Sequence, residues 1–341
     1  MMNPVSAVLT WTPSAAEARL IEMHWPSQID VVAGGSSLTE RSIGKLGSVQ
    51  AIVGPSPSIS SELIRSATHL KLIHVLGHGV DGLLKPDVVA VIQQRGIDVA
   101  RSNASAVALA EFAIMSLIAL NRRVIRMHNR LVDHGDWSLD SKSRRWEGSM
   151  GGEIHGTTLG LIGYGNIGRE IHLRATALGM QVGALVRRTR NIADRGLAFV
   201  AAQDDIDEFL SRCNHVVLCL PLTDETRHII DATRISAMKD GAYLVNVGRG
   251  NLIDEEALYS ALQSGKLAGV ALDVWAVEEG GSESGYPSPR PLHQYNAIMT
   301  PHYAGATLEA RERAIRVVGE NLQRMLDGQP IENLARLDEG Y

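Results

Sequence analysis

The chain has 341 residues, with 33 Lys and Arg against 38 Asp and Glu and a formal net charge of −5. At roughly 100–200 residues per domain this length predicts two domains, and 45% hydrophobic with 21% charged residues fits a globular protein. The mild acidity excludes a chain whose main task is coating nucleic acid or an anionic membrane; the two cysteines, Cys213 and Cys219, exclude a disulfide framework and paired zinc knuckles, so no metal is expected and a reducing, cytoplasmic setting is.

No basic segment followed by an apolar run opens the chain, so no secretory signal is expected. The longest apolar stretch, Ala104 to Leu120, is interrupted by Ser105 and Glu111, and falls short of the ~20 apolar residues of a membrane span. Short apolar runs alternate with helical patterns from the start. Strands are predicted at Ala7–Thr10, Ile29–Ala33, Ala51–Gly54, Leu72–Leu76 and Ile97–Ala100, with helix-like stretches such as Ser14–Met23 and Ser60–Ala67 between them. One long helix is then predicted from Val107 to about Asn129. Its first half is apolar nearly all round, which implies burial on several sides, and Arg122, Arg123, Arg126 and Arg130 make the second half basic.

A polar segment, His134 to Glu153, separates this part from a cleaner repetition. Strands are predicted at Thr158–Ile162, Gln181–Val186, His215–Leu220, Tyr243–Val247, Gly269–Val274 and Ala297–Thr300. The segment Gly280–Pro291 reads as a surface loop. A final helix, Leu308 to Leu326, ends at the stop signals Gly328 and Pro330. Runs of βαβ units imply an α/β fold with parallel sheets and helices on both faces.

The sharpest local signal is Gly163-Tyr164-Gly165-Asn166-Ile167-Gly168, a G-x-G-x-x-G directly after a predicted strand and opening a predicted helix. Gly163 permits the tight turn, Gly165 lets backbone approach a pyrophosphate, and Gly168 lets helix and strand pack closely. The helix N-terminus then presents free N–H groups to the phosphates. An acidic residue normally ends the second strand of such a unit and bonds a ribose 2′-hydroxyl. Here Val186 is followed by Arg187, Arg188, Thr189 and Arg190. Guanidinium groups bind a 2′-phosphate that a carboxylate would repel, so NADP is expected over NAD, with NAD still possible; the plainer alternative is a solvated basic loop.

Three later segments place polar groups just beyond predicted strand ends: Val247-Gly248-Arg249-Gly250, then Asp273 through Glu278 and Glu279, then Thr300-Pro301-His302. The carboxyl ends of strands in open α/β sheets form the ligand crevice. These segments, with Leu76-Gly77-His78-Gly79-Val80-Asp81, Leu220-Pro221-Leu222-Thr223 and Thr226, appear in an order that resembles the NAD(P)-dependent D-2-hydroxyacid dehydrogenases.

The resemblance covers nearly the whole chain, and it implies two Rossmann-like domains with an active site in the cleft between them. By the same resemblance, residues 1–103 with 304–341 form the substrate domain and 104–303 the dinucleotide domain, and the helix from Val107 serves a homodimer built through the cofactor domain. It also implies roles for single residues. Arg249 grips the substrate carboxylate and polarises the reacting carbonyl. His302 is the general acid/base, paired with Glu278, or with Glu279 as the runner-up. Asp273 bonds the nicotinamide carboxamide, and Gly77, His78 and Gly79 form the loop that receives the substrate carboxylate. His78 either tunes specificity or merely covers the cleft. The implied cofactor set is completed by Gly163, Gly165, Asn166, Ile167, Gly168, Arg187, Arg188, Thr189, Leu220, Pro221, Thr226, Val247 and Gly305.

The residue types suit the chemistry. Histidine titrates near neutrality and moves a proton as hydride moves, a neighbouring glutamate favours its imidazolium form, and arginine offers a planar fork to a carboxylate. The expected activity is reduction of a small 2-ketoacid, or oxidation of the D-2-hydroxyacid, of the glyoxylate/hydroxypyruvate reductase type. The alternatives are an enzyme like D-3-phosphoglycerate dehydrogenase, whose usual regulatory extension is not evident here, and a nucleotide-sensing, corepressor-like binding protein.

Overall fold

The computed structural model describes residues 5–33, 46–135, 150–189, 196–277 and 287–340. The chain divides into two compact units, Met1–Ser105 with Ala306–Tyr341, and Ala106–Gly305. Each crossing falls two residues beyond the expected 103/104 and 303/304.

The first unit begins β1 (Val5–Leu9), α1 (Ala15–His24), β2 (Ile29–Ala33), β3 (Val49–Gly54), α2 (Ser61–Ser66), β4 (Leu72–Val75), α3 (Pro86–Arg95) and β5 (Asp98–Arg101). Its five strands lie in the order β2-β1-β3-β4-β5, all parallel. Helices cover both faces of such a sheet, so its strands read as continuous apolar runs; Ala7, Val8, Leu9, Ile52 and Ile73 have no exposed surface. The helix boundaries follow local chemistry. Ser14 and Glu17 form a reciprocal capping box at the start of α1. Pro86 occupies the first turn of α3, and Gly96 ends it in a left-handed conformation, φ 61°.

The second unit contains α4 (Ala106–Asn121), α5 (Val124–His134), β6 (Thr158–Ile162), α6 (Asn166–Ala177), β7 (Gln181–Val186), β8 (Phe199–Ala202), α7 (Ile206–Ser211), β9 (His215–Leu218), α8 (Ala232–Ala237), β10 (Ala242–Asn246), α9 (Glu255–Ser264), β11 (Leu267–Leu272) and β12 (Ala297–Met299). Its seven strands are parallel and ordered β12-β11-β10-β9-β6-β7-β8. The order reverses at β6, so the crevice that open α/β sheets offer to ligands lies outside the carboxyl ends of β6 and β9. Two apolar clusters fill this unit, one around Phe209, Leu218 and Leu244, the other around Leu117, Leu159 and Ala271. The chain then returns to the first unit as α10 (Leu308–Asp327), capped by Thr307 and stopped by Gly328 at φ 66°.

Two features differ from the sequence expectation. The single helix expected from Val107 to Asn129 is two helices, α4 and α5. The carbonyl of Asn121 accepts the Gly152 N–H at 2.9 Å, and the Asn121 side chain donates to the Leu117 carbonyl at 2.7 Å. Arg123 adopts a left-handed φ of 53°, so the helical ladder cannot continue. Strand β8 has no counterpart among the predicted strands: it is a short edge strand whose residues are all half-buried.

Candidate active site

The turn after β6 has the geometry expected of a dinucleotide loop. Gly163 lies at φ 97°, and a β-carbon on it would sit 2.8 Å from the Cys219 carbonyl oxygen, so only glycine fits. Gly168 is buried, and a β-carbon there would sit 2.7 Å from the Gly163 carbonyl oxygen. Gly165, by contrast, has open space around it; it caps α6 without any side-chain hydrogen bond, leaving the first N–H groups of a twelve-residue helix facing outward. Asn166 is exposed and Ile167 half-buried beside them. The loop residues therefore fit a pyrophosphate.

Arg249 follows β10 on a turn held by Asn246, which has no exposed surface. Asn246 Oδ1 accepts the Gly248 N–H at 3.0 Å, and its Nδ2 donates to the Arg249 carbonyl at 2.8 Å. The half-buried Arg249 side chain donates from Nη1 to the Gly248 carbonyl at 2.7 Å. Gly250 permits the segment after β11 to pass close by, since a β-carbon there would lie 2.0 Å from the Trp275 carbonyl carbon. Val247 is buried, and its N–H donates to the Leu218 carbonyl at 3.2 Å.

His302 follows β12 and is exposed. Its N–H donates to the Asp273 carbonyl at 2.8 Å, and its φ is 55°. Asp273, expected to bond a nicotinamide carboxamide, has no exposed surface and directs its acceptors to the protein's own turn. Oδ1 accepts from the Thr300 hydroxyl at 2.6 Å, from Tyr303 N–H at 2.7 Å and from Ala304 N–H at 3.0 Å, while Oδ2 shares the last of these at 3.0 Å. Gly305 is half-buried just beyond.

At the end of β7, Arg187, Arg188 and Thr189 are all exposed. Arg187 Nε lies 3.6 Å from Glu225 Oε2, a partner that the sequence does not suggest. Glu225 belongs to the loop after β9, where Leu220 is half-buried and Pro221 exposed. In that loop the Thr226 hydroxyl donates to the Pro221 carbonyl at 2.9 Å and accepts from Thr223 N–H at 2.7 Å, closing the 221–226 turn upon itself. Cys219 is buried beneath, its Sγ donating to the Gly163 carbonyl at 3.1 Å; burial pushes its thiol up to about 12.

In the first unit, Gly77, His78 and Gly79 follow β4 and are half-buried. Ser102 Oγ donates to the Leu76 carbonyl at 2.6 Å, Arg101 Nη1 donates to the His78 carbonyl at 3.3 Å, and His78 Nδ1 lies 2.9 Å from Ser105 Oγ. The loop is thus braced from β5 onward.

The structure brings the glycine loop, Val247, Arg249, Asp273 and His302 to the carboxyl ends of one sheet. Glu278, Glu279 and Arg190 lie outside the described residues. Sequence reasoning missed the roles of Asn246, Thr300 and Glu225. Asn246 immediately precedes the Val247–Gly250 segment that singled out Arg249, but nothing in its spacing announces which turn it clamps. Among the described residues, no group of three His, Cys, Asp or Glu could hold a metal ion, and no helix is long and apolar enough to cross a membrane.

Residues 114–304 match the family model described as D-isomer specific 2-hydroxyacid dehydrogenase, NAD binding domain. A D-3-phosphoglycerate dehydrogenase of Methanocaldococcus jannaschii is 35% identical over 84% of this chain and 51% of its own length; the chain thus spans about half of that relative. A hydroxypyruvate reductase of Thermotoga maritima is 34% identical over 77% of this chain and 79% of its own. Among solved structures, a D-isomer specific 2-hydroxyacid dehydrogenase from Xanthobacter autotrophicus Py2, in complex with NADPH and MES, superposes with a TM-score of 0.80 at 25% identity, covering 99% of this chain and 100% of that one.

Proposed function

The chain belongs to the D-isomer specific 2-hydroxyacid dehydrogenase family, and from that premise we propose that it reduces a small 2-ketoacid of the glyoxylate or hydroxypyruvate type with NADPH in preference to NADH. The observation that carries this reading is the placing of Arg249 and His302 just past the ends of β10 and β12, in the sheet whose β6 end bears Gly163–Gly168. When bound, a nicotinamide dinucleotide supplies the hydride. The outward N–H groups of α6 and the open space at Gly165 suit its pyrophosphate, and Arg187 and Arg188 suit a 2′-phosphate. Arg249 binds the substrate carboxylate with its fork and stabilises charge developing on the carbonyl oxygen. His302 delivers the proton to that oxygen, with Glu278 as the carboxylate proposed to hold it in its charged form. The backbone N–H groups of Gly77, His78 and Gly79 are proposed to donate to the substrate carboxylate.

The relative named D-3-phosphoglycerate dehydrogenase, at 35% identity, favours a second reading in which the substrate carries a phosphate. A homodimer is also proposed. Helix α5 buries none of its residues and exposes Val124, Ile125, Leu131 and Val132 at 46, 47, 45 and 64%, an apolar face of the kind that marks association.

Steady-state kinetics with glyoxylate, hydroxypyruvate and 3-phosphohydroxypyruvate, each with NADPH and NADH, test the proposal. The expected result is a higher kcat/KM with NADPH and an unphosphorylated ketoacid, and a selective loss of NADPH use when Arg187 and Arg188 become Ala. Equal or better use of NADH would overturn the cofactor preference, and a preference for the phosphorylated acid would favour the second reading. Binding of the dinucleotide without turnover of any ketoacid would leave a sensing protein instead.

A further inference from the structure

Tyr164 stands between Gly163 and Gly165, in the turn that offers backbone to a dinucleotide. Gly165 has open space around it, so no packing on that residue restrains the turn. The restraint comes from Tyr164. Its ring packs, as Leu197 does, against the apolar cluster around Leu117, Leu159 and Ala271, and its hydroxyl lies 2.7 Å from His172 Nδ1. His172 stands on α6, eight residues further along the chain, and is 9% exposed. The imidazole is held in turn: the ring hydrogen-bonds the backbone of Gly196, and burial lowers its pKa, so the ring is neutral near pH 7. A neutral imidazole has one donor and one acceptor nitrogen, and the bond made by one fixes the role of the other. Gly196 takes the donor, and Nδ1 accepts from the Tyr164 hydroxyl.

We propose that His172 is a positioning residue for the dinucleotide site: through the Tyr164 hydroxyl it holds the Gly163–Gly165 turn in the shape that receives a pyrophosphate. The proposal rests on the reading of that turn as the pyrophosphate loop. A loop ordered before its ligand arrives binds more tightly, because less ordering remains to be done on binding. A steric device already fixes Gly163, where a β-carbon would sit 2.8 Å from the Cys219 carbonyl oxygen. The open side of the turn, at Gly165, has only the neighbouring tyrosine to order it, and the tyrosine is tied to α6 by one imidazole. Neither Tyr164 nor His172 takes part in the proposed proton or hydride transfer. Cutting the tie should therefore weaken dinucleotide affinity and leave the chemical step in place. The pyrophosphate is common to NADPH and NADH, so both should weaken alike.

The test uses the full chain with Tyr164→Phe, His172→Leu, the double variant and His172→Gln. Fluorescence titration should show the Kd for NADPH and for NADH rising together by about threefold to tenfold in each of the first two, the contribution of one hydrogen bond. Steady-state kinetics should show the same rise in KM for the dinucleotide, with kcat at saturation within about twofold of wild type. The double variant should bind within about twofold of His172→Leu, because both substitutions break one chain of contacts. His172→Gln, whose amide can still donate and accept, should recover most of the affinity. In the ligand-free protein the imidazole NMR signals of His172 should move in Tyr164→Phe. Unchanged Kd in both single variants would overturn the proposal, as would a loss confined to NADPH or fully additive losses in the double variant. Gly165→Val fills the open space through which a phosphate would approach. Wild-type affinity in that variant would instead remove the pyrophosphate reading, while the NMR shift would still report whether His172 holds Tyr164. If His172→Leu fails to fold, Tyr164→Phe, which deletes a single oxygen, decides.

Discussion

In the first unit His74 on β4 is fully buried, and its Nε2 accepts from Asn321 Nδ2 at 3.0 Å; in the second, His215 on β9 is 1% exposed, and its Nε2 accepts from Asn121 Nδ2 at 2.9 Å. Each pair joins an interior strand of a parallel sheet to a covering helix, α10 or α4. The surroundings differ. Asn321 also accepts from Glu332 N–H at 2.9 Å and donates to the Glu332 carbonyl at 3.0 Å, so the first pair ties the returning C-terminal segment to the sheet. Asn121 instead turns back to Leu117 at the end of α4, and its His215 stacks on Tyr243 with ring centroids 5.4 Å apart. One chemical device thus holds a chain return in one unit and terminates a helix in the other. The strand ends diverge as well: the second unit presents Arg249 and His302 on clamped turns, the first a loop whose glycines offer backbone.

That contrast predicts an asymmetry in catalysis. His302→Ala should lower kcat by about 10²–10⁴, the usual worth of a general acid/base. His78→Ala in the first unit should change kcat by less than about tenfold, because a side chain that packs by a binding loop without moving a proton affects mainly KM. Its effect should appear as different KM changes across a panel of 2-ketoacids. Steady-state kinetics of both variants check this; a larger kcat loss at His78 would move the proton transfer to the first unit.

The buried pairs predict acid sensitivity in both units. Burial pushes His74 down to about 4, and burial with the charge of Lys239 pushes His215 down to about 4. Each native imidazole therefore binds protons less readily than the unfolded one. The stability they contribute is complete above the unfolded value near 6.5 and is lost as pH falls toward 4. A shift of that size corresponds to up to about 3 kcal/mol for each histidine. Hydrogen exchange on β4 and β9, compared at neutral and acid pH, separates the two units. His74→Gln should flatten the acid response of β4 while leaving that of β9, and His215→Gln the reverse. Equal changes in both strands from either substitution would show that the units do not respond independently.

Most strands were legible because strands buried on both faces are continuous apolar runs, as in Leu159–Ile162 and Val216–Leu218. The glycine loop was legible because its steric demands leave no other residue possible at Gly163. Strand β8 was not, since Phe199–Ala202 is half-buried throughout and gives no clear pattern. The break between α4 and α5 was hidden because its cause, the Gly152 N–H at the Asn121 carbonyl, arrives from a distant part of the chain. For the site, the sequence singled out Arg249, Asp273 and His302 as residues, but what Asp273 binds depends on donors contributed by Thr300 to Ala304. The same holds for Glu225, whose place beside Arg187 arises only when the loops after β7 and β9 come together.

That last pair offers the smallest effect and a contrast with the buried histidines. Arg187 and Glu225 are 3.6 Å apart with side chains 49% and 60% exposed, so water screens their attraction, and an exposed pair of this kind is worth about 0.2–1 kcal/mol. In the proposed site the same guanidinium would bind a 2′-phosphate, and Glu225 competes with that anion for it. Glu225→Gln removes the competitor and the repulsion, so the Kd for NADPH should fall by up to about fivefold, the equivalent of 1 kcal/mol. NADH, with no phosphate at that position, should be nearly unaffected. The gain should shrink at high salt, where the Debye length drops to about 3 Å at 1 M, whereas the acid response of His74 and His215 should persist there because buried groups are little screened. Fluorescence titration with both dinucleotides at low and high salt measures the difference. Weaker NADPH binding in Glu225→Gln would mean that the carboxylate holds Arg187 in its binding position, making the pair part of the site rather than a competitor for it.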